Sequence, residues 1–164
     1  IGWDEILEGG LPPRATVMSW RGITGGIAVA SEGHDVIMSP TSHCYFDYKQ
    51  SEEKEPSPVG APLAACKVYS FEPVPDALPA DKVKHILGAQ GNLWTEHIEK
   101  PDHALYMVYP RAAALAEVDW TKKDLKDYQD FKVRMAAIYP RLDALDIQYR
   151  QPRDTDDAYC EKKE

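Results

Sequence analysis

No stretch of this sequence approaches the roughly 20 uninterrupted apolar residues that a membrane-spanning helix needs, so no membrane span is expected. Basic side chains are in the minority, 19 Lys and Arg against 27 Asp and Glu. The resulting net charge of −8 argues against nucleic acid as a partner, because phosphate backbones attract basic surfaces. Cysteine is scarce. Cys44, Cys66 and Cys160 are odd in number and form no C-x-x-C pair, so neither a disulfide framework nor a zinc site is expected. The five histidines are scattered. Only His43 and Cys44 are neighbouring ligand types, and adjacent strand residues point to opposite faces. No metal and no cofactor is therefore expected. An initiator Met, a signal peptide and a basic leader are also missing. That pattern suggests a piece of a longer protein, and it leaves localisation unknown from sequence.

What is present suits a globular chain. Its 43% hydrophobic and 28% charged residues are ordinary proportions for a folded domain, and 164 residues suffice for one such domain. Short apolar runs at Ile1–Trp3, Thr16–Trp20, Asp35–Ser39 and Ile86–Gly91 read as four strands. A Gly-rich turn at Gly22–Gly26 and a helix over Ile27–Glu32, closed by Gly33, separate the second and third. Strand–helix–strand units with short links favour parallel pairing and an α/β sheet.

From 51 to 81 the chain is rich in proline (Pro56, Pro58, Pro62, Pro73, Pro75, Pro79) and carries the charge run Glu52, Glu53, Lys54, Glu55. Proline removes a donor and fixes φ, so a long loop is expected there, with a short helix near Ala61–Ala65. Helical spacing returns over Pro101–Val118, with a break or kink at Pro110. A long amphipathic helix is expected over Asp124–Leu145, its apolar face formed by Leu125, Tyr128, Phe131, Met135, Ile138 and Leu142. The ordered part is drawn as 1–148 and a polar tail as 149–164, frayed from Gln151 onward.

Each strand candidate ends at or near an aromatic or a carboxylate. Trp3, Asp4 and Glu5 close the first and Trp20 the second; Tyr45 and Asp47 follow the third, and Trp94 and Glu96 the fourth. In parallel α/β barrels the ligand site lies at the C-terminal ends of the strands. Indoles stack on the C–H face of a pyranose, carboxylates accept hydrogen bonds from its hydroxyls, and an aromatic box fits an acetamido methyl group. Taken singly, each residue has a plainer structural reading. A strand-end Trp can be packing, Asp4 and Glu5 can complement a helix dipole, Asp47 can close a turn, and Glu96 can begin a helix.

At these residues the sequence resembles family 20 of the glycoside hydrolases, the β-N-acetylhexosaminidases. Gly2-Trp3-Asp4-Glu5 resembles the strand-five signature, and Met18-Ser19-Trp20-Arg21-Gly22 the segment after it. Gly33 to Pro40, continuing through Cys44-Tyr45-Phe46-Asp47-Tyr48, is similar to strand seven and its loop. Leu87 to Glu96 is similar to strand eight, and Pro110 to Trp120 to the closing helix. Five motifs in family order run from Ile1 to about Trp120.

The resemblance implies a partial (β/α)8 TIM barrel, a truncated fragment of about strands 5–8 and their helices. It implies that Trp3, Trp20 and Trp94 wall the pocket for the acetamido group and sugar ring. Asp47 and Glu96 would bind hydroxyls, and Tyr45 would orient the acetamido oxygen. That oxygen would act as the nucleophile, in a substrate-assisted, retaining hydrolysis of terminal N-acetylglucosamine or N-acetylgalactosamine from β-glycosides. Arg111 and Glu117 belong to a motif read as structural. The His-x-Gly-Gly-Asp-Glu motif that carries the family's general acid does not occur, nor does the strand-one sugar-binding arginine. The isolated fragment is therefore expected to be inactive. Expected partners are N-acetylhexosamine-terminated oligosaccharides or glycoconjugates, the missing N-terminal half of the barrel, and other copies meeting exposed sheet edges. By family, the location would be periplasmic, secreted or lysosomal. The alternative reading is a non-catalytic carbohydrate-binding module.

Overall fold

The computed structural model describes residues 1–53, 55–56, 59–153 and 156. Lys54 and Pro58 of the Pro-rich stretch, and 154–155 and 157–164 of the tail with Cys160, lie outside the described residues. The chain divides into two compact units, Ile1–Cys44 with Glu72–Gly91, and Tyr45–Phe71 with Asn92–Glu164.

The first unit is a parallel sheet in the order β1 (Gly2–Trp3), β2 (Thr16–Ser19), β3 (Asp35–Met38) and β4 (Ile86–Ala89). Its centre is built from Val17, Val36 and Met38, all sealed from solvent. Helix α1 (Thr24–Ser31) begins three residues earlier than the glycine content suggests. Gly25 and Gly26 are helical rather than part of a turn, and the cause is packing. A Cβ on Gly26 would sit 2.7 Å from the far end of the Met38 side chain, so glycine lets the helix approach β3 this closely without pushing that end aside. Buried Ser19 fastens the same junction: its Oγ donates to the Gly22 carbonyl at 2.7 Å and accepts from the Gly26 N–H at 2.9 Å. Gly33 (φ 89°) closes the helix as expected, with its N–H on the Ala30 carbonyl and that of His34 on the Val29 carbonyl.

Bonds continue past the strand ends. Ser39 N–H reaches Ser19 O, Thr41 N–H reaches Trp20 O, Gln90 N–H reaches Met38 O, and Ser39 Oγ donates to Gln90 O. The C-terminal edge is thereby held in register. The short helix α2 (Thr41–Cys44) follows β3 directly.

The second unit is helical: α3 (Ala65–Tyr69), α4 (Pro101–Val108), α5 (Arg111–Trp120) and α6 (Tyr128–Ala144). Four expectations need correction here. The helix in the Pro-rich stretch lies at Ala65–Tyr69 rather than Ala61–Ala65, because the amide of Leu63 is spent on the Lys49 carbonyl and holds that stretch extended. Leu63, Ala64, Cys66, Val68, Tyr69 and Phe71 are buried, so this stretch is largely core. Leu125 is 67% exposed, since it sits in a separate 3-10 turn (Lys123–Leu125) and Asp127 caps α6 after it. Phe131, Met135 and Leu142 do form the buried face. Finally, Cys66 is disulfide-bonded while Cys44 is free and buried.

The helical run from Pro101 divides at Tyr109–Pro110, a cis peptide bond, between α4 and α5. Of the tail drawn from 149, Tyr149 and Arg150 are buried. Arg150 forms ion pairs with Glu55 and Asp156 at 3.3 and 2.7 Å. Among the described residues no helix is long and apolar enough to cross a membrane.

Candidate functional site

Two groups of the expected site residues emerge, one in each unit. In the first unit Trp3 ends β1 and Trp20 follows β2. The parallel register sets Trp3 beside Met18, two positions before Trp20. The chain turns after Trp3 into a 3-10 helix (Asp4–Gly9), whose first two residues are the acids for which a helix dipole is the plainer sequence reading. Their side chains do something else. Asp4, 3% exposed, accepts from the main-chain N–H groups of Trp20 and Arg21, both at 3.2 Å, and from Arg21 Nε at 2.7 Å. Glu5 accepts from the indole N–H of Trp20, with both oxygens at 3.1 Å. That bond first, and then a bond from its own main-chain N–H, holds the Glu5 carboxyl below its ordinary range, with Arg21 adding to the effect. Sequence reasoning missed this contact. The one available signal was that both acids immediately follow a strand-end tryptophan.

In the second unit the chain entering from α2 meets the chain leaving β4. Tyr45 and Asn92 form a parallel bridge, and the Phe46 N–H donates to Asn92 O at 2.6 Å. This join brings together residues from two distant motifs. The Asp47 carboxylate accepts from its own N–H and from that of Trp94, and it feels the negative charge of Glu96. Tyr45 is 8% and Asp47 9% exposed, whereas Trp94 is 42% exposed. Burial is the main reason the Asp47 carboxyl lies above its usual range; main-chain donors and Arg111 oppose the shift, and Glu96 adds to it. Tyr45 and Tyr48 meet edge to face, 5.7 Å between centroids. Burial, then Asp47, pushes the Tyr48 hydroxyl up.

A buried carboxylate of this kind has lost water and gains when a hydroxyl donates to it. The exposed indole of Trp94, whose main-chain N–H bonds Asp47, offers an apolar face. Hydroxyl recognition beside an aromatic surface is what this arrangement can do chemically.

Arg111 holds that loop in place. It is sealed from solvent at the first residue of α5 and, among the described residues, donates to main-chain carbonyls: Phe46 at 2.5 Å, Tyr48 at 2.9 Å, Leu63 at 3.2 Å and Met107 at 3.0 Å from Nε. Its guanidinium also lies over the Phe46 ring, 5.1 Å from the centroid. Burial pulls it down to about 9, opposed first by Asp47 and then by Glu55. The carbonyls on both sides of Asp47 are thus fixed by one side chain.

Comparison with known proteins follows the same residues. The profile of glycosyl hydrolase family 20, catalytic domain, matches residues 1–123. A β-hexosaminidase of Porphyromonas gingivalis is 49% identical over 154 residues, which cover 93% of this chain and 20% of that protein. A β-N-acetylhexosaminidase of Cellulomonas fimi is 30% identical over 91% of this chain and 31% of its own length. Among solved structures, an exo-β-N-acetylglucosaminidase of Vibrio harveyi in complex with N-acetylglucosamine superimposes with a TM-score of 0.82. It is 34% identical, and the match covers 92% of this chain and 24% of that one. The chain therefore spans about a fifth to a third of the length of these relatives.

Proposed function

Because the chain belongs to glycosyl hydrolase family 20, we propose that it is the C-terminal half of the catalytic (β/α)8 barrel of a β-N-acetylhexosaminidase, 1–148 forming strands 5–8 with their helices. The parent enzyme removes terminal non-reducing N-acetylglucosamine or N-acetylgalactosamine from β-glycosides with retention. This segment supplies much of the sugar pocket, and the Asp-Glu pair carrying the general acid lies upstream of it.

The observation that carries the reading is the join at Tyr45 and Asn92, which gathers Tyr45, Asp47, Trp94 and Glu96. In the proposed reaction Tyr45 donates its hydroxyl to the acetamido oxygen and orients it toward the anomeric carbon. That oxygen attacks as the glycosidic oxygen receives a proton from the upstream acid, and the aglycone departs. Water then attacks the anomeric carbon from the face the aglycone left, opposite the bond to the acetamido oxygen. It gives its proton to the same upstream acid, and the two inversions retain the configuration. Holding the nucleophile at attack distance is a proximity effect, and the phenol stabilises charge as the ring closes. Asp47 and Glu96 bind hydroxyls at the far side of the sugar, around O4 and O6, while Trp3, Trp20 and Trp94 enclose the ring and acetamido methyl.

The test compares the intact protein containing this segment with the segment alone, using an aryl N-acetyl-β-glucosaminide. The intact protein is expected to cleave it and the segment to be inert. Full activity of the isolated segment would overturn the assignment of the acid to the upstream half.

A further inference from the structure

We propose that Glu5 is a positioning residue that fixes the plane of the Trp20 indole, with Asp4 holding the backbone beneath it, so that together they set one wall of the acetamido pocket. The inference rests on the reading of Trp20 as a pocket wall and adds the device that holds it.

An indole has a single polar atom, a donor, and its outer side-chain torsion has broad, shallow wells. A tryptophan at a strand end can therefore swing unless that donor is tied down. Here the Nε1–H points between the two oxygens of Glu5, at 3.1 Å from each. The main chain at the same residue is tied independently, because Asp4 accepts from the N–H groups of both Trp20 and Arg21. Arg21 Nε closes the set on Asp4 at 2.7 Å. Two consecutive acids, arriving from the end of β1, thus hold ring and backbone of a residue that leaves β2.

Trp3, which precedes the turn, gives it no side-chain cap, and Glu5 accepts from its own main-chain N–H as well as from the indole. Glu5 itself is exposed, so its contact adds little to stability. What it changes is the freedom of the indole. A wall that orients the acetamido group acts on the step in which that group attacks, so its loss falls on kcat more than on KM.

The experiment uses the intact enzyme containing this segment and steady-state cleavage of an aryl N-acetyl-β-glucosaminide by wild type, Glu5→Ala, Glu5→Gln and Trp20→Ala. Glu5→Ala is expected to lose on the order of tenfold in kcat/KM, mainly in kcat, with an unchanged Tm. Glu5→Gln keeps an acceptor oxygen and is expected to recover most of that loss, and Trp20→Ala is expected to be the most impaired. Wild-type kinetics for Glu5→Ala beside a crippled Trp20→Ala would overturn the positioning role alone. Equal impairment of Glu5→Gln and Glu5→Ala would also overturn it. Wild-type kinetics for Trp20→Ala would overturn the pocket reading, and this inference with it.

Discussion

Arg111 donates from Nη2 to the main-chain carbonyl of Phe46 at 2.5 Å, across 65 residues of sequence. The same guanidinium serves Tyr48, Leu63 and Met107, the last at the end of α4, where a cation also meets the negative end of the helix. Removing it orphans several buried carbonyls at once, each costing about 1–3 kcal/mol. Arg111→Met is expected to lose about 4 kcal/mol or more and Arg111→Lys somewhat less, since an ammonium keeps the charge but not the fork. Urea denaturation of the 164-residue chain measures both. A loss under about 1 kcal/mol for the Met variant would refute the role.

Asp47 should show opposite effects on stability and on binding. Its folded pKa lies above the unfolded one, chiefly through burial. Ionisation at neutral pH therefore costs the fold, and stability is recovered as pH falls through the folded value. Asp47→Asn is expected to raise Tm near neutral pH and to remove the part of the pH dependence of Tm that lies above the ordinary carboxylate range. In the intact enzyme it should weaken N-acetylglucosamine binding by roughly tenfold or more. A lower Tm for the Asn variant near neutral pH would show that the charged form is instead favoured by the fold.

Tyr69 and Glu117 predict behaviour at both pH extremes. The Tyr69 hydroxyl donates to Glu117 Oε1 at 2.6 Å and accepts from Asp127 N–H at 2.9 Å. Arg134 first, then Tyr69, holds Glu117 below its ordinary range, so that contribution is present above the unfolded pKa and fades as pH falls through the folded one. Burial, then Glu117, pushes Tyr69 from 10.0 up to about 12, so its contribution is lost as pH rises between those values. Tyr69→Phe is expected to cost about 1–2 kcal/mol at neutral pH. Chemical denaturation at several pH values should find the variant's deficit smaller at both ends. A constant deficit would refute the linkage.

Two glycines should respond differently to a methyl group. Gly60 has φ 67°, and a Cβ there would fall 2.3 Å from Tyr48 Cγ, a ring atom that cannot move aside alone. Gly60→Ala is expected to cost about 2–4 kcal/mol from backbone strain and overlap. At Gly26 the obstruction is the flexible end of Met38, and alanine favours the helix by about 1 kcal/mol. Gly26→Ala should therefore cost distinctly less. Paired thermal melts decide it, and equal losses would contradict the packing argument.

Much of the local structure was legible in the residues. All four strands fall within two residues of their apolar runs, because a short β-rich segment bounded by Gly or Pro has few other options. Pro110 divides its helix because proline brings no N–H to the helical ladder, whereas Pro140 is accommodated inside α6. Gly25 and Gly26 misled, since composition reports conformational freedom, whereas the need here is the closeness of Met38. Leu125 misled because periodicity cannot see a cap, and Asp127 starts α6 after it.

What the sequence by itself determined is therefore local and periodic: strands, helices, their breaks, and the chemical character of the aromatics and acids at strand ends. Who touches whom was decided only by the tertiary structure. Glu5 finding the Trp20 indole, Trp94 N–H finding Asp47, and Arg111 finding the carbonyls around that aspartate all join residues far apart along the chain. Such contacts depend on strand order and helix packing. Neither is encoded within the few residues on either side of any one of them.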